Sequence, residues 1–324
     1  MSTPSPSAVS LAAGQRWRAW EWVLLAALPL SWFVAGDHAL LASETAILAL
    51  FALSLDLILG YAGIISLGHA AFFGIGAYAA ALFAKHVMPD PLVGMLVGIG
   101  VAGLLGAVSS VLVMRGSDLA RLMITLGVAA ILYELANKLE FTGGADGLQG
   151  VTMGPLLGRF EFDLYGRTAY AYTIVLLVIG LLVARRIVRS PFGWSLQAIR
   201  DNRLRAAAIG LNVDMRLGVI YTISAAMAGA AGAAAAQTTG FASLSGLDFE
   251  RSADVMLVVV IGGAGWLWGG LAGAIAFKLL QSVLSTWTPQ YWMFWLGLFL
   301  VVLVMVGRDR LFKPWTWMRR GGRA

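Results

Sequence analysis

An all-α, polytopic transmembrane bundle is the fold class this sequence predicts, and three observations predict it. Hydrophobic residues make up 59% of the 324 and charged residues only 12%, against roughly 25% charged in soluble domains. Apolar runs recur at lengths near the roughly 20 residues that a helix needs to cross the hydrocarbon core. The short alternating segments of an outer-membrane barrel are absent. The formal charge of +6 does not point to nucleic acid, because the basic residues cluster beside the ends of hydrophobic runs, the pattern that orients a membrane protein. Cysteine is missing altogether, which removes disulfides and thiolate metal sites.

In chain order, residues 1–15 are Ser/Pro/Ala-rich and are expected to form a disordered N-terminus. Segment 20–35 follows Arg16 and Arg18 and ends at Gly36-Asp37-His38 without a small-x-small cleavage site, so it reads as an uncleaved anchor. Further apolar segments fall at 40–59, 64–84, 92–114, 119–136, 168–184, 217–237, 255–261, 267–283 and 291–306. The run at 255–261 is too short for an ordinary span and predicts a broken or half helix. That gives about ten segments within a membrane domain at 16–310, followed by a basic tail at 311–324. Arg115 and Arg121, Arg185, Arg186 and Arg189, Arg200 to Arg216, and Arg308 to Arg323 are all expected on the cytoplasmic side. Ten passes satisfy every cluster, with both termini cytoplasmic and with Asp37, Asp90, 140–163 and 248–254 outside. Trp17, Trp20, Trp22, Trp32, Trp287, Trp292, Trp315 and Trp317 fall near the expected boundaries, as interfacial anchors do.

Two features depart from simple spans. Gly60-Tyr-Ala-Gly63 with Gly68-His-Ala70, and Gly262-Gly-Ala-Gly265 with Gly270-Leu-Ala272, share the pattern G-x-A-G-x-x-x-x-G-x-A. Both begin on the cytoplasmic side in this topology, so they predict an internal parallel repeat. Clustered glycines permit close helix packing and can interrupt a helix where protein or a watery cavity covers the backbone; Gly94 and Gly98 serve packing alone. The second feature is the amphipathic stretch 190–210 between two apolar runs. Pro191 and Gly193 break the preceding helix, Ser195 to Ala208 reads as one short helix, and Gly210 ends it. Leu196, Ile199 and Leu204 make an apolar stripe, while Arg200, Asp201, Arg203 and Arg205 carry charge. The residues alone leave two readings open: a docking handle for a partner, or a loop resting on lipid headgroups.

Read together, these motifs resemble the LivM-type permease of branched-chain amino acid ABC importers. The resemblance runs through 60–78, Thr125-Leu-Gly127, Thr142-Gly-Gly-Ala-Asp-Gly147, the 190–210 segment, 223–232 and Ile261-Gly-Gly-Ala-Gly265, and covers about residues 40–310. It implies a subunit of a bacterial inner-membrane complex with a second, LivH-like permease, two ABC ATPase subunits and a periplasmic substrate-binding protein. It also makes 190–210 the segment coupled to an ATPase, through Gly193, Leu196, Ile199, Arg200, Arg203 and Gly210. The chain departs from many relatives in carrying Asp56 where they have Asn, and Ala130 where they have Glu. A glutamate stands instead at Glu134, one turn along. Relatives carry urea, short amides and aromatic acids as well as branched-chain amino acids, so these departures bear on the substrate.

Ionisable side chains inside a span are costly, by about 2.5 kcal/mol or more for a central Asp on insertion scales. Asp56 and Glu134 are therefore candidates for a translocation path. Lys278 can snorkel, and His69 reads as a hydrogen-bonding packer between helices. Gly60, Gly63, Gly68, Gly262, Gly263 and Gly265 are the expected helix-break and packing positions. The loop Phe141-Thr-Gly-Gly-Ala-Asp-Gly147 reads as a tight outer turn facing a binding protein. No G-x-x-x-x-G-K-[ST] occurs, so no nucleotide cofactor is expected in this chain and ATP would be bound by partner subunits. Three histidines without H-E-x-x-H leave little equipment for an enzyme. A self-sufficient secondary transporter or channel is the other class, but it gives 190–210 no task.

Overall fold

A computed structural model describes residues 19–116, 118–156, 158–162 and 166–306. The expectations for the two termini lie outside these residues. Twelve α-helices carry the described chain: α1 Ala19–Ala35, α2 Ala39–Asp56, α3 Ala70–His86, α4 Pro91–Met114, α5 Asp118–Lys138, α6 Arg167–Val188, α7 Pro191–Asp201, α8 Arg203–Ala208, α9 Val213–Thr239, α10 Phe249–Gly262, α11 Gly269–Trp287 and α12 Trp292–Val306. A π-helical turn, Leu57–Tyr61, extends α2. Five of these stretches are long and apolar enough to cross a membrane: Ala39–Tyr61, Pro91–Met114, Leu119–Lys138, Arg167–Val188 and Val213–Thr239.

Helix starts follow their capping residues. Asp90 Oδ1 accepts from Leu92 N at 2.8 Å and Val93 N at 3.2 Å, with Pro91 at the first helical position of α4. Asn202 Oδ1 accepts from Arg205 N at 2.9 Å and Asn212 Oδ1 from Met215 N at 3.2 Å, which opens α8 and α9. Each cap satisfies a backbone donor that the first turn leaves without an intrahelical partner.

The bundle has two ends. At one, Arg121 Nε donates to the Val113 carbonyl at 3.2 Å and Arg216 binds the Ser195 hydroxyl. At the other, the strip 147–154 pairs with the end of α9: Leu148 and Ala242 exchange backbone bonds of 2.8 and 3.0 Å, and Gly154 N donates to the Pro89 carbonyl at 2.6 Å. The expected orientation clusters thus gather Arg115, Arg185, Arg189, Arg200 and Arg216 at the basic end, while residues 139–156 cover the opposite one. Gly143 turns there with φ +82°, as a tight turn requires.

Helix α9 is the centre of the packing. It lies against α3 and α4, and a Cβ on Gly76 or Gly98 would meet Gly229 or Ala233 at close range. Small residues let these backbones approach where bulkier ones would hold them apart. Both polar atoms of the Gln237 amide are engaged: Tyr172 Oη donates to its Oε1 at 2.6 Å, and its Nε2 donates to the Pro91 carbonyl at 2.7 Å.

Three expectations change. The apolar run at 64–84 is not one helix, because 62–69 is irregular and α3 starts only at Ala70. Segment 248–254 does not lie in an outer loop: Ser252 is buried and its hydroxyl accepts from Ala70 N at 2.9 Å, which sets the first turn of α10 against the first turn of α3 inside the bundle. Helix α10 is the expected half helix, but it begins at Phe249. The shared glycine pattern corresponds in its turns, with Gly63 at φ +70° and Gly265 at φ +79°; the helices flanking the two turns differ in length, so the resemblance does not extend to whole repeats.

One buried ion cluster has no counterpart in the sequence reading. Glu21 on α1 pairs with Arg185 at 3.2 Å and with Arg189, and its side chain is 3% exposed. Removing one partner of a buried pair costs roughly 3–5 kcal/mol, because the remaining charges stay uncompensated. Glu21→Gln is expected to lower the thermal midpoint in detergent by several degrees and to loosen α1 from α6. An unchanged midpoint would mean that lipid or water carries these charges.

Candidate functional site

The site is built at the basic end, where the amphipathic stretch meets both glycine turns. Ser190 accepts from Gly193 N at 3.3 Å and Pro191 takes the first helical position, so the helix begins at Pro191. The preceding helix ends at Val188, just before Pro191, as expected, but Gly193 is no breaker. Gly193 lies inside α7 and permits close approach to the α6 end, since a Cβ there would run into the Val188 carbonyl. The expected single helix at 195–208 is two, α7 and α8, because Asn202 is extended between them. Gly210, with φ +85°, follows α8 as anticipated.

Burial reassigns the apolar stripe. Leu196 is 1% exposed and Ile199 0%, and both belong to the main core of this chain. They anchor α7 to the bundle and are not available to fill a groove on another protein. The protruding apolar residues are Leu204 at 84% and Ile209 at 75% exposure, flanked by exposed Arg205 and Gly210. Arg203 is half-buried at the start of α8. Periodicity marked 196, 199 and 204 as one face, but the break at Asn202 divides that face between two helices.

Arg200 is exposed but reaches the first glycine turn. Its Nη1 donates to the Gly60 carbonyl, a group that the end of α2 leaves without an intrahelical donor. Asp56 Oδ1 accepts from Gly265 N at 2.7 Å, and Gly60 and Gly265 are in direct backbone contact. Asp56, Gly60, Gly63, Arg200 and Gly265 therefore form one cluster, which the sequence could not show because its parts lie up to 209 positions apart. Gly262 packs on the Gly269 carbonyl, and Gly263 ends α10 with φ +94°. Gly68 sits farther up, where a Cβ would meet the Thr125 carbonyl of α5.

Glu134 belongs to a different region. It lies on the outward face of α5, with its side chain 59% exposed and Lys138 3.9 Å away. One turn before it, Ala130 lines a small cleft of ≈170 Å³ together with Leu67, Tyr133 and Asp248, beside the start of α10. The structure thus separates the two carboxylates proposed from sequence: Asp56 is enclosed by protein, whereas Glu134 stands at an open face. His69 behaves as expected, stacked on Phe51 and 2.9 Å from the Ser54 hydroxyl. Lys278 does not extend alone to the surface but pairs with Glu44 at 2.9 Å. Among the described residues, no group of three or more His, Cys, Asp or Glu could hold a metal ion.

A family described as branched-chain amino acid transport system / permease component matches residues 39–306. The chain is 30% identical to the high-affinity branched-chain amino acid transport system permease protein LivM of Escherichia coli (strain K12), over 91% of this chain and 74% of that protein. It is 29% identical to the corresponding protein of Salmonella typhimurium, with the same coverage. A more distant relative, the fructose import permease protein FrcC of Rhizobium meliloti, is 25% identical over 85% of this chain and 78% of that protein. No solved structure matches. With five apolar spans and membrane permeases as its relatives, the chain is a multi-pass bacterial membrane protein.

Proposed function

The chain belongs to the family of branched-chain amino acid transport permease components, and we propose that it translocates branched-chain amino acids across the inner membrane as one permease of an ABC importer. A second, LivH-like permease, two ATPase subunits and a periplasmic substrate-binding protein complete the assembly. ATP is bound and hydrolysed by the partner ATPases. Both termini and the α7–α8 pair face the cytoplasm, the side on which basic clusters are retained.

The single observation that carries this reading is the α7–α8 pair at the basic end. Its apolar anchors Leu196 and Ile199 are inside the bundle, while Leu204 and Ile209 project from it beside Arg205. A rigidly mounted knob of this kind suits a groove on a soluble partner: burying such side chains contributes about 1.5–3 kcal/mol each. The substrate path runs on the open face formed by α5 and the start of α10, where the cleft beside Ala130 lies. The second permease closes that face.

The test is uptake of labelled leucine by proteoliposomes that hold the whole complex, with loaded binding protein outside and ATP inside. ATP-dependent accumulation supports the reading. Uptake by this chain alone, driven by an ion gradient and indifferent to ATP, would replace it with secondary transport. In the same assay Glu134→Gln is expected to lower uptake severalfold at an unchanged thermal midpoint, because an exposed ion pair adds at most about 1 kcal/mol to stability. Uptake at the unmutated rate would remove Glu134 from the path.

A further inference from the structure

We propose that Arg200 and Asp56 are positioning residues that carry movement of α7 to both glycine turns at once, an inference that rests on the importer reading above. One guanidinium sits between the turns. Its Nη1 donates to the Gly60 carbonyl, and a Cβ on Gly265 would lie 3.3 Å from that same nitrogen. Its aliphatic stem covers Gly63, where a Cβ would meet Arg200 Cγ at 3.0 Å. From the other side, Asp56 Oδ1 holds the Gly265 amide at 2.7 Å. The two turns are thus tied to each other by Asp56 and to the amphipathic helix by Arg200, whose tie is a charge-assisted hydrogen bond, roughly twice as strong as a neutral one.

The second Asp56 oxygen explains how such a tie could move. Oδ2 is buried and has no hydrogen-bond partner, a condition that costs a carboxylate more than it costs a neutral group. Arg200 reaches the Gly60 carbonyl, one turn along from this carboxylate, and its planar fork offers five donors. A shift of α7 lets the guanidinium exchange the Gly60 carbonyl for Asp56 Oδ2. The π-helical turn Leu57–Tyr61 gains or loses its external donor in that exchange, and the contact of Gly60 with Gly265 changes with it. Helix α10 ends at this second turn and begins beside the cleft, so the motion reaches the substrate path through one rigid half helix.

The chain has no cysteine, so Ala264→Cys in the second turn provides a unique position for an environment-sensitive fluorophore once partner cysteines are replaced. In the whole reconstituted complex the label is expected to respond to ATP with loaded binding protein. Arg200→Ala should retain the ATPase, abolish the fluorescence response and reduce leucine transported per ATP at least tenfold. Arg200→Lys, which keeps the charge without the fork, should recover part of both. Asp56→Asn preserves an acceptor for Gly265 N but removes the charged acceptor for Arg200, and should also lower transport per ATP at least tenfold at an unchanged thermal midpoint. Normal coupling in Arg200→Ala or in Asp56→Asn overturns the proposal. So does release of the ATPase by Arg200→Ala, which would make Arg200 part of the docking surface. An ATP-dependent label response without uptake in the unmutated complex would overturn the importer reading and leave the relay standing.

Discussion

Replacing Leu204 and Ile209 together with glutamate is expected to release the ATPase from the purified complex while the permease stays folded. Both side chains are largely exposed on α8 and just after it, so they contribute little to the core of this chain. Truncating an anchor that becomes buried in an interface costs about 2 kcal/mol or more, a loss of roughly thirtyfold in affinity for each such residue. Two acidic replacements add desolvation of charge. The measurement is ATPase retained on affinity-purified permease in detergent, alongside the thermal midpoint. The contrasting variant is Leu196→Ser with Ile199→Ser. These side chains fill the core, and large-to-small changes there cost about 2–5 kcal/mol each. That pair should lose the fold first and the ATPase only as a consequence. If the glutamate pair retains its ATPase at normal affinity, the α7–α8 pair rests on headgroups and the docking surface lies elsewhere.

The reversal of roles within that helix pair shows what the sequence could disclose. Hydrophobic run lengths located the long spans within a few residues, because every lipid-facing helix must satisfy its backbone internally and the alphabet of spans is small. The half helix was legible from the shortness of its run, and the amphipathic stretch from its charge. Periodicity could not say which part of an apolar stripe faces inward, since 196, 199 and 204 look alike until Asn202 breaks the helix. Nor could it find the start of α3, because 62–69 is as apolar as a helix but is held by contacts from Thr125, with Ser252 capping α3 at Ala70, more than 50 residues away in each case. Glu21 went unnoticed for the same reason. A single acidic residue at a helix start reads as a favourable end charge, and only the fold reveals two arginines around it.

Gly232→Val is expected to prevent accumulation of folded permease, whereas Gly100→Ala should be harmless. Both glycines lie within long apolar helices, so composition does not distinguish them. Their surroundings do. A Cβ at Gly232 would run into the Phe73 carbonyl of α3, and neighbouring Gly229 already has α4 backbone within reach at the Gly98 carbonyl. Backbone atoms cannot rotate aside as a side chain can, so the added atoms must push α9 off α3, on which Ser252 of α10 and Leu247 just before it also pack. Overpacking in a tight core costs about 1–3 kcal/mol where neighbours can shift, and more where only helix separation relieves it. At Gly100 nothing lies within 4 Å of the new Cβ, and alanine is favoured over glycine inside a helix by roughly 0.8–1.0 kcal/mol in peptide hosts. Size-exclusion profiles in mild detergent and thermal midpoints read both outcomes. A monodisperse Gly232→Val permease with a normal midpoint would show that α9 and α3 can separate without loss of the fold, and would remove close backbone packing as the force that holds the centre of the bundle.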